Sequence, residues 1–573
     1  MDIAGLPLDV RVAITSYIHS RKDVISLTRS CRGSYAAVTP QLYRNLSVRE
    51  SMNVDHLIAM LSPENGGLQH IRHLEIEANS CGAYRTNRPS VDQILQLMAN
   101  LLPRDVLLSF MLDCSTSFKS SQALQTLYRR QRFLRTTRLD SGVFTEDAVL
   151  NGSARMQNIT LLQLQIHGPI ATDYGHGMVA ALPALLHLEI RADLLQYCVA
   201  TSHNQHSAAQ RIDASAEILT KIFRRGTTVD AERCEANRHD QDTFVELWNS
   251  GEFQGRAKGK LKLRSLSLHG LDLGKPEHLL QAVEFSRLHS LILQEWTNVD
   301  ELLRGVRPTG LPSRMDLTDL VLTANQKWAQ KNDREAGDDA IDDFLKSFHG
   351  LKRFTVCAPE EETMRPSTEA IMAHADTLRS LFLCCKYPED ADEEHFNAAD
   401  LQACLKQCNE LEQLAVQVPP LYLELEIETL RRVDGAFMDA LGAAPSLHTL
   451  RILTGPEDIA LDYEVTDSHA DRVFVITGLR TYATEYFARL SKTVNVLSLG
   501  HSATGGNGDY FFGDQLLRTK FYSRGKTIDA YGKIEAIAFE MDTKQLAQDI
   551  EPISDIFDID PYSGRMMRSG YRA

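Results

Sequence analysis

The sequence predicts an α/β solenoid: a short helical segment at the N-terminus, then parallel strands along a concave face with helices outside. Three observations predict it. A chain of 573 residues is too long for one compact core, so several domains or a repeat array is expected. A six-residue pattern, apolar-x-x-apolar-x-apolar, returns along most of the chain. Between the copies lie amphipathic stretches of helical period.

The first fifty residues differ from the rest. Val10, Ile14 and Tyr17/Ile18 recur at helical spacing and give one apolar stripe. Asp23 is placed to cap a second helix, in which Val24, Leu27 and Cys31 share a face. Thr39-Pro40 offers an N-cap followed by proline at the first helical position, leading into Leu42-Tyr43. Three helices of this size bury little surface alone, so apolar faces are left over.

The repeat pattern begins at Ile71/Leu74/Ile76 and Leu107/Phe110/Leu112, with a weaker copy at Leu134/Thr137/Leu139. It continues through Leu161/Leu164/Ile166, Leu185/Leu188/Ile190, Leu263/Leu266/Leu268, Leu288/Leu291/Leu293 and Leu317/Leu320/Leu322. Later copies are Leu351/Phe354/Val356, Leu378/Leu381/Leu383, Leu411/Leu414/Val416, Leu447/Leu450/Ile452, Val494/Leu497/Leu499 and Ile534/Ile537/Phe539. The last two apolar residues of each copy are two apart, so they point to one side of a strand. Stacked copies then share a continuous core. Ile94/Leu97/Met98/Leu101, Ile341/Phe344/Leu345/Phe348 and Ala483/Tyr486/Phe487/Leu490 mark three of the covering helices. An insertion around 195–260 interrupts the ladder, and Lys331 to Asp339 and Pro388 to Glu394 read as solvated loops.

Residues between the anchors face the concave side. Early in the ladder they are polar, as in His73, Glu75 and Glu77, or His187, Glu189 and Arg191. Later they turn apolar: Ile292, Val321, Phe382, Cys384, Ala415, Leu453, Ala536 and Ala538. An exposed apolar row on a repeat surface is a candidate protein-binding site, here Ile292, Val321, Phe382, Cys384 and Leu453. The acidic-apolar tail from Ile550 to Pro561 is the alternative occupant of that row.

Composition narrows the function classes. A formal charge of −15 argues against a general nucleic-acid binder. Ten scattered cysteines without a Cys-x-x-Cys pair read as reduced thiols of cytosol or nucleus. No secretory signal and no membrane span are expected, so membrane partners are not.

Signs of chemistry are thin. Gly500-His501-Ser502-Ala503-Thr504-Gly505 approaches the strained turn of serine hydrolases, but Thr504 stands where the second glycine is needed. Gly505-Gly506-Asn507-Gly508 lacks the Gly-Lys-Ser/Thr ending of a phosphate loop. Cys198, His203 and His206 have no fourth ligand at finger spacing, and Cys404 and Cys408 fall on the core face of a helix. No catalytic residue, metal or cofactor is expected.

Leu6-Pro7-x-Asp9-Val10, Ile14, Asp23-Val24-x-x-Leu27, Cys31-Arg32 and Pro40-x-Leu42-Tyr43-Arg44, in that order, resemble an F-box. Ser30 and Tyr35 stand where the family usually has a small apolar residue and a tryptophan. The ladder is similar to leucine-rich repeats, and the whole layout resembles fungal-type F-box proteins carrying such repeats. The resemblance implies an F-box over 1–50, a repeat solenoid over 51–545 and a tail over 546–573. It implies docking on the Skp-type adaptor of a cullin–RING (SCF) ubiquitin ligase through Leu6, Pro7, Val10, Ile14, Val24, Leu27, Cys31, Leu42 and Tyr43. The arc would then bind a protein substrate. The competing class is an interaction scaffold uncoupled from ubiquitination. A helix-turn-helix reader of DNA is disfavoured, because no helix gathers base-reading residues along one face.

Overall fold

The computed structural model describes residues 6–18, 20–30, 32–49, 52–78, 91–114, 121–140, 158–166, 184–192, 260–271, 273, 276–296, 299–306, 315–324, 338–358, 366–385, 398–418, 435–453, 469–499, 520–528 and 530–541. Most of the insertion, the tail, the Ser502 turn, and Cys198, His203 and His206 lie outside them. The chain forms two compact units. One comprises Met1–Leu271 with Lys275–Glu284, the other Asp272–Gly274 with Phe285–Ala573.

The first unit opens with helices α1 (Leu8–Ser16), α2 (Arg21–Ser30) and α3 (Arg32–Arg44). Its strands are β1 (Asn45–Arg49), β2 (His73–Ala78), β3 (Ser109–Cys114), β4 (Thr136–Asp140), β5 (Leu161–Ile166), β6 (His187–Ala192) and β7 (Ser265–His269). Each pairs in parallel with the next. Helices α4 (Val54–Met60), α5 (Val91–Leu101), α6 (Ser121–Arg130) and α7 (Glu277–Ala282) lie between them. β6 pairs directly with β7, so the insertion leaves the strand register intact.

The second unit continues the same grammar. Strands β8 (Ser290–Trp296), β9 (Asp319–Ala324), β10 (Arg353–Ala358), β11 (Ser380–Cys385), β12 (Gln413–Gln417), β13 (Thr449–Leu453) and β14 (Val496–Leu499) are parallel. Its helices are α8 (Val299–Val306), α9 (Asp338–Lys346), α10 (Thr368–Met372), α11 (Ala398–Gln407), α12 (Gly435–Leu441) and α13 (His469–Arg489).

Anchors determine this arrangement. Leu74, Ile76, Phe110, Leu112, Leu320, Leu322, Leu381 and Leu383 are all buried on the helix side. Phe110 meets Tyr128 of α6 edge-on at 6.4 Å between ring centres. Cys404 and Cys408 are buried, as their helical spacing predicts. One backbone feature recurs at most strand starts. Arg72 O accepts from the N–H groups of Leu108 and Ser109, and Leu108 O from those of Arg135 and Thr136. In the second unit Thr318 O, Lys352 O and Arg379 O each take the same pair of donors from the next repeat. Loop lengths vary, but the step from strand to strand does not.

Buried polar side chains tie helix ends to the repeats that precede them. In the first unit Gln131 accepts from the N–H groups of Val106 and Leu107 at 2.9 and 3.1 Å and donates to Pro103 O at 2.7 Å. In the second unit His374 does this work. Its Nε2 donates to Leu345 O at 3.1 Å, and its Nδ1 accepts from Leu351 N–H at 3.5 Å. Gly350, at φ +101°, makes the turn between those two leucines.

Two local expectations are corrected. Ile534/Ile537/Phe539 is not a further parallel repeat. The ladder ends at β14, and an antiparallel hairpin follows, β15 (Lys520–Ile528) and β16 (Ile534–Met541). Ile534 and Phe539 are exposed, while Ala538 is buried and hydrogen-bonds Arg480 and Thr484 of α13. A hairpin strand flanked by a helix shows the same apolar spacing as a repeat. Thr39-Pro40 likewise starts no helix. Pro40 lies inside α3, and the Thr39 hydroxyl donates back to Tyr35 O at 2.7 Å.

The two His374 contacts require the neutral ring, and burial lowers its pKa to about 4. The unfolded chain takes up a proton near 6.5, the folded chain only near 4. Stability is therefore complete above pH 6.5 and falls by roughly 3 kcal/mol as the pH drops to about 4. Urea unfolding across that range should show the slope, and His374→Gln should flatten it.

Candidate docking site

The N-terminal helices pack around α3. Val24, Ala37 and Val38 are their buried apolar centre. The Gln41 amide donates to Ile18 O at 3.0 Å and ties α3 to the end of α1. Ser20 caps α2: its carbonyl accepts from Val24 N–H at 3.0 Å, and its hydroxyl from Asp23 N–H at 3.4 Å. Asp23, expected as the cap, instead lies in the first turn, where its charge complements the helix dipole.

Helix α1 gives most of its surface to solvent. Thr15 points inward, and Arg11 lies across Gly33 of α3. Leu8, Val10, Val12, Ile14 and Tyr17 are 51, 39, 37, 39 and 80% exposed, and Tyr35 of α3 adds another 49%. So many unpartnered large apolar side chains on one short helical element form a patch of the kind that protein partners cover.

The expected docking residues divide into groups. Pro7, Val10 and Ile14 are exposed along α1, and Leu6, Leu27 and Leu42 are half-buried. Val24 is core at 4% exposure and presents almost nothing to a partner. Tyr43 packs on Gly67 in the turn before β2, where an added Cβ would fall 2.5 Å from the ring. Its ring braces the helices against the first repeat. Arg72 N–H donates to Arg44 O at 2.9 Å beside it. Cys31 lies outside the described residues. Leu8, Val12 and Tyr35 belong to the exposed patch without fitting the stripe read from the sequence. The signal for them was a helix apolar on more than one face.

The apolar row expected to take a substrate is differently placed. Ile292 is half-buried, but Val321, Phe382, Cys384 and Leu453 are only 2, 0, 6 and 3% exposed. Phe382, Cys384 and Leu453 join Cys357, Ala415 and Val496 in a closed cluster, with Phe521 and Met541 packed against it. Arg451 stacks over the Phe382 ring at 5.7 Å. The expectation of an exposed row is corrected: strands apolar on both sides are buried on both sides.

The polar row of the first unit keeps its access. His73 and Ser109 side chains meet at 2.7 Å, Arg49 pairs with Glu77 at 2.9 Å, and Glu189 accepts from Gln163 and Arg191. Partial burial, then Arg44 and Arg72, holds the His73 pKa below the ordinary histidine value. Among the described residues no group of three or more His, Cys, Asp or Glu side chains is placed to hold a metal ion. No described helix is long and apolar enough to cross a membrane.

No family model matches the chain, and no curated protein matches it. Among solved structures it is similar to one described as the crystal structure of the Rad7 and Elc1 complex in yeast. Identity is 14%, the match covers 64% of this chain and 80% of that one, and the TM-score is 0.32. A likeness at that score bears on neither partner nor activity.

Gly67→Ala should push Tyr43 off its seat and cost about 1–3 kcal/mol of stability, the usual range for overpacking. Phe382→Ala should cost about 3–5 kcal/mol, as a cavity in a closed core does. Val10→Asp, at an exposed position, should change stability by less than about 0.5 kcal/mol. Denaturant unfolding of the three variants checks all three.

Proposed function

We propose that this protein is the substrate-recognition subunit of an SCF-type ubiquitin ligase. In this reading α1 and its neighbours dock on a Skp-type adaptor, which brings the cullin and RING subunits. The repeat ladder holds a protein substrate. The observation that carries the reading is the exposed apolar patch of Leu8, Val10, Val12, Ile14 and Tyr17 within the segment that resembles an F-box. Such side chains cost solubility when bare and supply binding free energy when covered, roughly 25 cal/mol per Å² of apolar surface removed from water before the costs of association.

The chain itself makes and breaks no bond in this proposal. It raises the effective concentration of a substrate lysine beside the charged ubiquitin carrier. Linkage by binding alone is sufficient, so no catalytic side chain, metal or cofactor is assigned. The place of action is the cytosol or the nucleus, where adaptor and cullin would meet the chain. The other reading is a scaffold that engages partners without sending them to ubiquitination.

Val10→Asp with Ile14→Asp should abolish co-purification of adaptor and cullin while the purified chain keeps its unfolding midpoint. Retention of both partners by the double variant would reject docking through α1. Adaptor capture without ubiquitin transfer to any bound protein would favour the scaffold reading.

A further inference from the structure

On the strand side that turns away from the helices, the second unit is closed. Cys357, Phe382, Cys384, Ala415, Leu453 and Val496 form one buried cluster on β10–β14, and Val321 of β9 is buried beside them. The helices do not close it, because they cover the anchors Leu320, Leu322, Leu381 and Leu383 on the opposite side. Phe521 and Met541, register neighbours on the terminal hairpin, pack against one end of the cluster. Phe382 lies on β11, four strand spacings from β15 in the sheet order, or about 19 Å. Side chains of the hairpin cannot shield it at that distance, so a further part of the chain lies over the middle of the face.

The covered surface is apolar with a charge set into it. Arg451 of β13 is 1% exposed and stacks over the Phe382 ring, and its register neighbours Ala415 and Ser498 are neutral. A guanidinium taken that deep favours an acidic group beside it. The occupant is therefore expected to be bulky, apolar and acidic. The chain supplies such a segment just past the hairpin. Met541, already packed on the cluster, starts it from this face. Ile550 follows nine residues later and can lie about 30 Å away. That exceeds the five strand spacings, about 24 Å, from β16 to β11. From there Ile553, Ile556, Phe557 and Ile559 are interleaved with Glu551, Asp555, Asp558 and Asp560, all of them outside the described residues.

We propose that the strand face of β9–β14 is a binding surface for an acidic segment with bulky apolar side chains, and that its occupant is this chain's own Ile550–Pro561. Ile556 and Phe557 lie on Phe382 and Ala415, and the aspartates that flank them meet Arg451. Tethering nine residues from the hairpin makes the contact intramolecular, so it holds at any protein concentration. The proposal does not depend on the ligase reading.

Four buried thiols make the test. Cys357 and Cys384 lie on the proposed surface, while Cys404 and Cys408 lie under a helix on the other side and report loss of the fold. Alkylation of the purified full chain by N-ethylmaleimide is followed at each cysteine by mass spectrometry. I556D/F557D should speed alkylation of Cys357 and Cys384 about tenfold or more and leave Cys404 and Cys408 slow. M566D/M567D, which places the same charges later in the tail, should change every rate less than about twofold. Unchanged rates at Cys357 and Cys384 in the first variant would show that another segment covers the face, and would overturn the proposal. A second measurement stands whether or not that variant folds. p-Benzoylphenylalanine placed at Phe557, which keeps the side chain apolar, should crosslink on irradiation to residues of β10–β13. Crosslinks only to other parts of the chain, only to a second copy, or none at all would overturn the proposal.

Discussion

No strand in either ladder can bury its two anchors alone. Leu74 and Ile76 lie on a six-residue strand with half its surface bare until β1 and β3 are laid beside it. That requirement for in-register neighbours organises the rest. The doubly accepting carbonyl at most strand starts, from Arg72 in one unit to His448 in the other, fixes the step. Once the step is fixed, helices such as α5 and α13 must cover the anchor side, whatever the loop between them contains. Insertions are tolerated because they enter between steps, as the direct pairing of β6 with β7 shows.

The side away from the helices is where the units diverge. Alternation along each strand separates the choice of anchor from the choice of facing residue. The first unit fills the facing positions with Glu75, Arg138, Gln163 and Glu189, which neighbouring strands partly satisfy. The second fills them with Val321, Phe382 and Ala415, which no monomeric surface would leave in water at that density. A single repeat grammar thus supports an open polar face and a closed apolar one. The N-terminal helices are coupled to the polar one physically: Tyr43 on Gly67 and the Arg44–Arg72 hydrogen bond join α3 to the strands without a flexible linker.

Much of this was legible in the amino-acid sequence. Parallel strands with helices outside follow from anchors whose spacing tolerates little else, and Phe344, Leu345, Tyr486 and Phe487 are core where their helical period places them. The unreadable parts depend on non-local contacts. Pro40 resembles a helix start because its missing N–H is harmless there, yet α3 is already formed from Arg32. Tyr43 resembles a docking residue until Gly67, distant in sequence, is seen beneath it. Ile534/Ile537/Phe539 has repeat spacing but antiparallel pairing, a distinction the side-chain pattern does not encode. The burial of Phe382 depends on what lies over the strand, and its own neighbours in sequence do not report that.

Apolar exposure on α1 matters for function because it is an apolar surface the fold leaves in water within the segment that resembles an F-box. The most direct measurement is calorimetric titration of the purified chain with a purified Skp-type adaptor at several temperatures. The account predicts saturable binding with a negative heat-capacity change, the mark of apolar surface leaving water. Absence of saturable heat at every temperature, with both proteins folded, would contradict it.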